Sequence, residues 1–202
     1  FFNTELKYNL DYEESVNDCW GYVTLDGREF AIIGTQTGTS IVEVKSDTLT
    51  QISFIPGGES TWRDIKTWGN YIYIGTENNY GGIQIVSMEN PDSPELINTL
   101  NIVGNSHNLM IDNGYLFIIG SSDLASLIIL SLDDPENPEQ IALWNEEYLH
   151  DICIDETILY GCGIYSGTIF AIDISNPSNP YTINYWDGIP SAHACWVTED
   201  HE

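Results

Sequence analysis

The sequence has very little positive charge: 5 Lys and Arg residues stand against 31 Asp and Glu residues, giving a formal net charge of −26. Nucleic acids and anionic membrane surfaces are bound through basic patches, so neither is expected as a partner. Apolar runs such as Leu127–Leu130 are far shorter than the ~18 residues that a membrane helix needs. We therefore expect no direct membrane insertion.

Cysteine is also scarce, with four residues in 202. They are Cys19, Cys153, Cys162 and Cys195. They form no C-x-x-C pair, which disfavours a structural zinc site, and are too few for a disulfide scaffold. A hairpin turning at Asp155-Glu156 would pair Cys153 with Ile158 and place Cys162 roughly 13 Å farther along the strand. Because bridged α-carbons lie within ~7 Å, we expect buried free thiols.

Several other signals are missing. No window of a dozen residues shows a helical period of 3.6, so essentially no helix is expected. There is no G-x-S-x-G nucleophile elbow and no glycine-rich phosphate loop. With 42% hydrophobic, 12% aromatic and only 18% charged residues, the chain has the composition of a folded domain rather than a disordered one. Its length favours a single domain, 1–202.

An internal repeat of about 43 residues organises the chain. The first prolines of three Asn/Asp-Pro-x-x-Pro elements are 44 and 42 residues apart, at Pro91, Pro135 and Pro177. A second series has steps of 43, 44, 43 and 43 residues. It consists of Trp20, Arg63, His107, His150 and His193. Two independent landmarks with one period indicate a repeat architecture.

Each period contains four short apolar segments separated by turn sequences such as Asp112-Asn113-Gly114. Four strands in about 43 residues are typical of one β-propeller blade. The sequence therefore predicts an all-β fold, a β-propeller segment of four-stranded blades. The expected blades are approximately 18–60, 61–104, 105–148 and 149–191. Residues 1–17 are predicted to supply the outer strand of a preceding blade, and 192–202 to begin the next one.

The string Ser60-Thr61-Trp62-Arg63-Asp64 and the strands that precede each Asn-Pro-x-x-Pro element carry a family resemblance. The chain resembles the choice-of-anchor B family of bacterial surface proteins and the LVIVD repeats that this family contains. The first blade departs from the pattern, because Ser46–Leu49 stands in place of the proline element. The resemblance implies a secreted or cell-surface β-propeller whose biochemical role is largely uncharacterised.

Repeat-equivalent residues of a propeller lie on one circle, here around a channel mouth. The candidate binding ring consists of Arg63, Asp64, His107, Asn108, His150, Asp151 and His193, with Trp20 at the matching place in the first blade. Each side chain could brace a loop of its own blade, or the ring could contact a ligand. Three converging imidazoles could also hold a metal ion or act as general acid and base.

These features favour a non-catalytic, extracellular binding or assembly module that presents rigid loops to a protein or glycan partner. Self-assembly through exposed propeller edges is a further hypothesis. The alternative is a metal-dependent hydrolase or lyase that uses His107, His150 and His193. No cofactor is predicted, although the many carboxylates leave a site for calcium or another divalent cation open.

Overall fold

The computed structural model describes residues 4–121 and 127–198, and within them 16 strands form four four-stranded antiparallel sheets without any helix. Blade 1 contains β1 (Val16–Val23), β2 (Glu29–Thr35), β3 (Gly38–Val44) and β4 (Leu49–Pro56). Blade 2 contains β5 (Arg63–Trp68), β6 (Tyr71–Thr76), β7 (Ile83–Ser87) and β8 (Glu95–Leu100). Blade 3 contains β9 (Asn108–Asp112), β10 (Tyr115–Ile119), β11 (Leu127–Ser131) and β12 (Glu139–Trp144). Blade 4 contains β13 (Asp151–Asp155), β14 (Ile158–Gly163), β15 (Thr168–Asp173) and β16 (Tyr181–Trp186).

The predicted all-β propeller fold is confirmed. Strands are hydrogen-bonded in sequence order within every sheet. This meander puts two kinds of connection on the same side of the molecule: the loop between the second and third strands, and the linker into the next blade. We call this side the loop face and the opposite side the turn face. No helix in the described ranges is long and apolar enough to cross a membrane.

The hydrophobic core lies between the blades rather than inside any one of them. Three clusters of buried residues fill the interfaces between blades 1 and 2, 2 and 3, and 3 and 4. Alternation along each strand divides its side chains between two neighbours: Ile72 and Ile74 face blade 1, whereas Tyr73 faces blade 3. The strands are therefore apolar at successive positions because both of their faces are buried.

The turn face carries the proline elements and the hairpin turns. In the element of blade 2, the backbone N–H of Ser93 donates to the carbonyl oxygen of Asn90 at 2.9 Å. The hairpin of blade 3 turns at Asn113 (φ 46°) and Gly114 (φ 80°), and these positive φ values fit the predicted Asn-Gly turn. The hairpin of blade 1 is longer, since residues 24–28 connect Val23 to Glu29.

The described residues before β1 and after β16 form no strand. Residues 4–15 form no strand, although an outer strand was predicted there. The assignment of residues 1–17 to the outer strand of a preceding blade stays a prediction. Residues 192–198 are also without strand structure, and the rest of the segment predicted to begin a further blade lies outside the described residues.

Candidate functional site

The predicted ring separates into two rows, because successive residues of a strand point in opposite directions. The first residues of the dipeptides lie at the loop face: Arg63, His107 and His150 stand where a linker enters a blade, and His193 lies in the segment that follows blade 4. The second residues, Asp64, Asn108 and Asp151, line the channel. The structure therefore brings the candidate residues together, in two layers rather than one.

Arg63 is the most buried cation of the site, with 3% of its surface exposed. Its guanidinium donates hydrogen bonds to the carbonyl oxygens of Thr35 (2.7 Å), Gln36 (3.3 Å) and Gly58. Burial lowers the pKa of Arg63, and the carboxylate of Glu14 opposes that shift. Since all three carbonyl groups precede β5, Arg63 fixes the β2–β3 loop and the outgoing linker of blade 1.

Three imidazoles stack in a row. The ring centroids of His107 and His150 are 4.2 Å apart, as are those of His150 and His193, and each pair is tilted by 45°. His107 Nδ1 lies 2.6 Å from Glu77 Oε1 in the loop of blade 2. His150 Nδ1 lies 3.0 Å from the carbonyl oxygen of His193. The three rings therefore form one column, which extends across three successive repeats.

Stacking favours neutral histidine at the centre of this column. Burial lowers the pKa of His150, and the neighbouring His107 lowers it further. The ring planes are tilted by 45° to one another, and the Nδ1 atoms of His107 and His150 contact two different groups, the Glu77 carboxylate and the His193 carbonyl oxygen. In residues 4–121 and 127–198, no group of three or more His, Cys, Asp or Glu side chains is placed to hold a metal ion.

The channel row joins each blade to the next one. Ile65 N–H donates to Asp18 Oδ2 at 2.9 Å, and Leu109 N–H donates to Asp64 Oδ2 at 2.5 Å. In both cases the carboxylate of one innermost strand accepts from a backbone amide of the next blade's innermost strand. Such edge amides have no partner in their own sheet, so the carboxylates satisfy buried donors that would otherwise be costly.

Blades 3 and 4 use a variant of this contact. Asn108 Nδ2 donates to Asp151 Oδ1 at 2.7 Å, so an amide replaces the carboxylate in blade 3. Asp151 in turn accepts from the backbone N–H of Cys195 in the C-terminal segment. Burial raises the pKa of Asp151. The contact between blade 4 and residue 195 therefore repeats the pattern found between complete blades.

A cavity of about 270 Å³ opens among these channel residues. Lys66 Nζ lies 2.7 Å and 2.9 Å from the two carboxylate oxygens of Asp64. It also lies 4.5 Å from the ring centroid of Trp20, a distance that suits a cation–π contact. Burial nevertheless raises the pKa of Asp64 to about 6, and Lys66 opposes that rise.

Two interpretations of the ring need correction. The contacts lie outside each residue's own blade: Arg63 and His107 contact the preceding blade and its linker, and His150 contacts the His193 carbonyl oxygen in the segment after blade 4. Trp20 is equivalent to Lys66 and not to Arg63. Trp20 pairs with Ile32 on the second strand of blade 1, and Lys66 pairs with Tyr73 at the matching place in blade 2. Trp20 and Ile32 are 12 positions apart, whereas Lys66 and Tyr73 are seven apart, because the hairpin of blade 1 has both a longer loop and longer strands. The spacing of 43 residues therefore aligned Trp20 with Arg63 instead of Lys66.

Exposed aromatic side chains on the loop face were not found from the sequence. Tyr80 is 93% exposed, Tyr165 81% and Trp62 51%. Tyr165 also contacts Tyr148, with ring centroids 5.1 Å apart. Trp68, next to the Gly69-Asn70 turn on the opposite side, is also exposed, at 39%. The positions of Tyr80, Tyr165 and Trp62 in the sequence could have indicated their exposure, because all three residues lie in connections on the loop face.

Comparison with known families supports the type of repeat. Two stretches match the LVIVD repeat: residues 60–101 and 166–186. The first covers blade 2 with its entering linker, and the second covers β15 and β16 of blade 4. Membership of the choice-of-anchor B family stays a prediction. No curated protein matches the chain at a significant level.

Solved structures show the same fold at very low sequence identity. A putative 6-phosphogluconolactonase from Bacteroides uniformis has a TM-score of 0.67 and 11% identity over 85% of this chain and 55% of its own. A protein from Lactobacillus plantarum has a TM-score of 0.65 and 10% identity over 85% of this chain and 56% of its own. The chain thus spans just over half the length of these structures. Identities this low show the fold alone.

Proposed function

We propose that this β-propeller is a non-catalytic binding module that presents its loop face to a protein or glycan partner outside the cell. The observation that carries the proposal is the set of exposed aromatic rings on one face, Trp62, Tyr80 and Tyr165. Aromatic side chains supply much of the affinity in protein interfaces, since they bury a large area and lose little conformational entropy. The extracellular location rests on the family resemblance.

The frame below these rings is held rigidly. Trp62 accepts a hydrogen bond at its carbonyl oxygen from the N–H of Glu77, which also contacts His107. The same linker is anchored by Arg63 through the carbonyl oxygen of Gly58. A loop already fixed in place costs little ordering entropy when it binds. Arg63 and His107 therefore hold the binding surface in place instead of forming a reactive centre.

Charge narrows the chemistry of the partner. Glu59 lies in the linker that carries Trp62. Glu77 lies beside that linker on the same face, where its N–H donates to the Trp62 carbonyl oxygen. With a formal net charge of −26, the molecule repels strongly anionic ligands. Neutral glycans and basic or neutral protein surfaces are the partners that suit this face.

The hydrolase or lyase alternative requires several imidazole nitrogens to meet at one point. The stacked arrangement, with ring centroids 4.2 Å apart, instead uses the rings as packing surfaces. The His107 and His150 Nδ1 atoms contact Glu77 and a backbone carbonyl group. These contacts support a bracing role for the imidazoles.

Alanine substitution of the exposed aromatics tests the proposal. The purified chain is screened against an array of neutral glycans and a library of displayed peptides. For a ligand obtained from either, we expect Trp62→Ala, Tyr80→Ala and Tyr165→Ala each to weaken binding about 5- to 30-fold, the range expected for interface aromatics. The measurement is a dissociation constant by titration calorimetry.

Tyr181→Ala is the matched control, because Tyr181 is 51% exposed but lies on the outer strand β16 away from the loop face. Its affinity should equal that of the wild type. Ligands that bind all three loop-face variants normally, or no binding to any member of either collection, would contradict the proposal.

A further inference from the structure

Three of the four cysteines meet at one edge of blade 4. Cys153 Sγ lies 3.2 Å from Cys195 Sγ, and Cys162 forms a hydrogen bond with Cys195 as well. The expected hairpin was wrong here: the turn is at residues 156–157, so Cys153 pairs with Tyr160 and Cys162 pairs with Asp151. Cys153 and Cys162 consequently lie on one face of the sheet, and Cys195 lies over that face.

Cys195 belongs to segment 192–198, which forms no strand and lies against blade 4. Its backbone N–H donates to Asp151, and its thiol contacts the Tyr160 carbonyl oxygen at 3.5 Å. Cys153 is only 2% exposed, whereas Cys195 is partly exposed. A groove of about 280 Å³ between the segment and blade 4 is lined by Cys153, Cys195 and Trp196. A small thiol reagent can therefore reach Cys195.

We propose that Cys153 and Cys195 form an intramolecular disulfide under oxidising conditions, which ties segment 192–198 to blade 4. The side chains are already adjacent, so the bond requires only a small movement of the sulfur atoms. It closes a loop between residues 42 positions apart, which restricts the unfolded chain. This modification is independent of the partner bound by the loop face.

The oxidant is a low-molecular-weight disulfide such as oxidised glutathione. Cys195 loses its proton, and its thiolate attacks one sulfur of that disulfide and expels a glutathione thiolate, which takes up a proton. The sulfur of Cys153 then attacks Cys195 Sγ and displaces the second glutathione thiolate, which gains the proton of Cys153. Two protein thiols are oxidised and one glutathione disulfide is reduced to two thiols.

Cys162 competes with Cys153 for the same partner. The hydrogen bond from Cys195 lowers the pKa of the Cys162 thiol, which favours its thiolate. However, Cys162 is 0% exposed and so cannot be reached directly by the oxidant. The sulfur–sulfur distance of 3.2 Å identifies Cys153 as the thiol that resolves the mixed disulfide.

Peptide mapping of the 202-residue chain tests the assignment. The protein is treated with oxidised glutathione, free thiols are alkylated, and the sample is cleaved without reduction. Trypsin is unsuitable because all five basic residues precede residue 67. A protease that cleaves after Asp and Glu separates the three thiols, since cuts at Asp155, Asp173 and Asp187 place each in its own peptide.

We expect a Cys153–Cys195 crosslinked peptide and alkylated Cys19 and Cys162. The oxidised protein should melt about 5–10 °C higher than the reduced protein, and dithiothreitol should abolish the difference. Cys19→Ser is the matched control and should behave like the wild type, whereas Cys195→Ser should lose both the crosslink and the shift. A Cys162–Cys195 crosslink, a stable glutathione adduct at Cys195, or four alkylated thiols after oxidation would overturn the proposal.

Discussion

Arg63→Ala should lower the free energy of unfolding by about 3–5 kcal/mol, the cost typical of removing one member of a buried charged network. The substitution removes the guanidinium donor from the carbonyl oxygens of Thr35, Gln36 and Gly58, of which that of Gln36 keeps another donor, the N–H of Ser60. It also opens space at the linker between blades 1 and 2, because the side chain is almost fully buried. The effect is measured by urea unfolding followed by tryptophan fluorescence.

Lys45→Ala is the control for the lost charge. Lys45 pairs with Glu43 at 2.9 Å, but its side chain is 53% exposed, so its removal should cost less than about 1 kcal/mol. Both variants change the net charge by the same amount. Equal losses for the two substitutions would show that Arg63 acts through overall charge, and would contradict its role in fixing the preceding blade.

The contribution of Asp64 to stability should fall as the pH rises from about 4 to about 6, because burial raises the pKa of Asp64 to about 6 in the folded protein. An unfolded aspartate loses its proton near pH 3.9. Between these values the folded state holds a proton that the unfolded state has released, so raising the pH favours unfolding. The contribution of Asp64 amounts to about 2–3 kcal/mol across this window.

Asp64→Asn removes the titrating group and keeps an oxygen that accepts from Leu109 N–H. Urea unfolding at several pH values should show the variant gaining stability relative to the wild type between pH 4 and 6, with no further gain above. Asp173→Asn should act in the opposite direction and at lower pH: hydrogen bonds from Ser175 lower the pKa of Asp173, so this variant should lose stability relative to the wild type as the pH rises through the range below about 4, with little change between pH 4 and 6. A difference between wild type and Asp64→Asn that is independent of pH, or that decreases as the pH rises, would contradict the burial effect.

The repeat made most of the fold predictable. Strands such as Tyr71–Thr76 are apolar at successive positions, which requires burial on both faces. The period of about 43 residues then specifies four-stranded blades. The register of individual hairpins was less predictable, because Glu156 adopts a positive φ of 51° that nothing in its sequence required. This single shift moved the pairing partner of Cys153 from Ile158 to Tyr160.

The candidate site was predictable as a set of residues but not as a set of contacts. Spacing singled out His107, His150 and His193 as repeat-equivalent residues, and their rings lie next to one another in the structure. It could not show that their rings stack, or that Glu77 contacts the first of them, because those contacts depend on loops between repeats. The hydrogen bond from Ile65 N–H to Asp18 could not be predicted either. The longer hairpin of blade 1 made Trp20, rather than a residue near Asp18, appear to match Arg63.

Hydrogen exchange resolved to single amides tests most directly whether the blades stack radially and brace one another through the channel. The N–H groups of Ile65 and Leu109 lie on the free edges of innermost strands and donate to Asp18 and Asp64 of the preceding blades. They should exchange as slowly as amides of the buried second strands, such as those of Ile74 and Phe117. Rapid exchange at Ile65 and Leu109 together with slow exchange at Ile74 and Phe117 would show intact sheets without these interblade contacts, and would contradict the account.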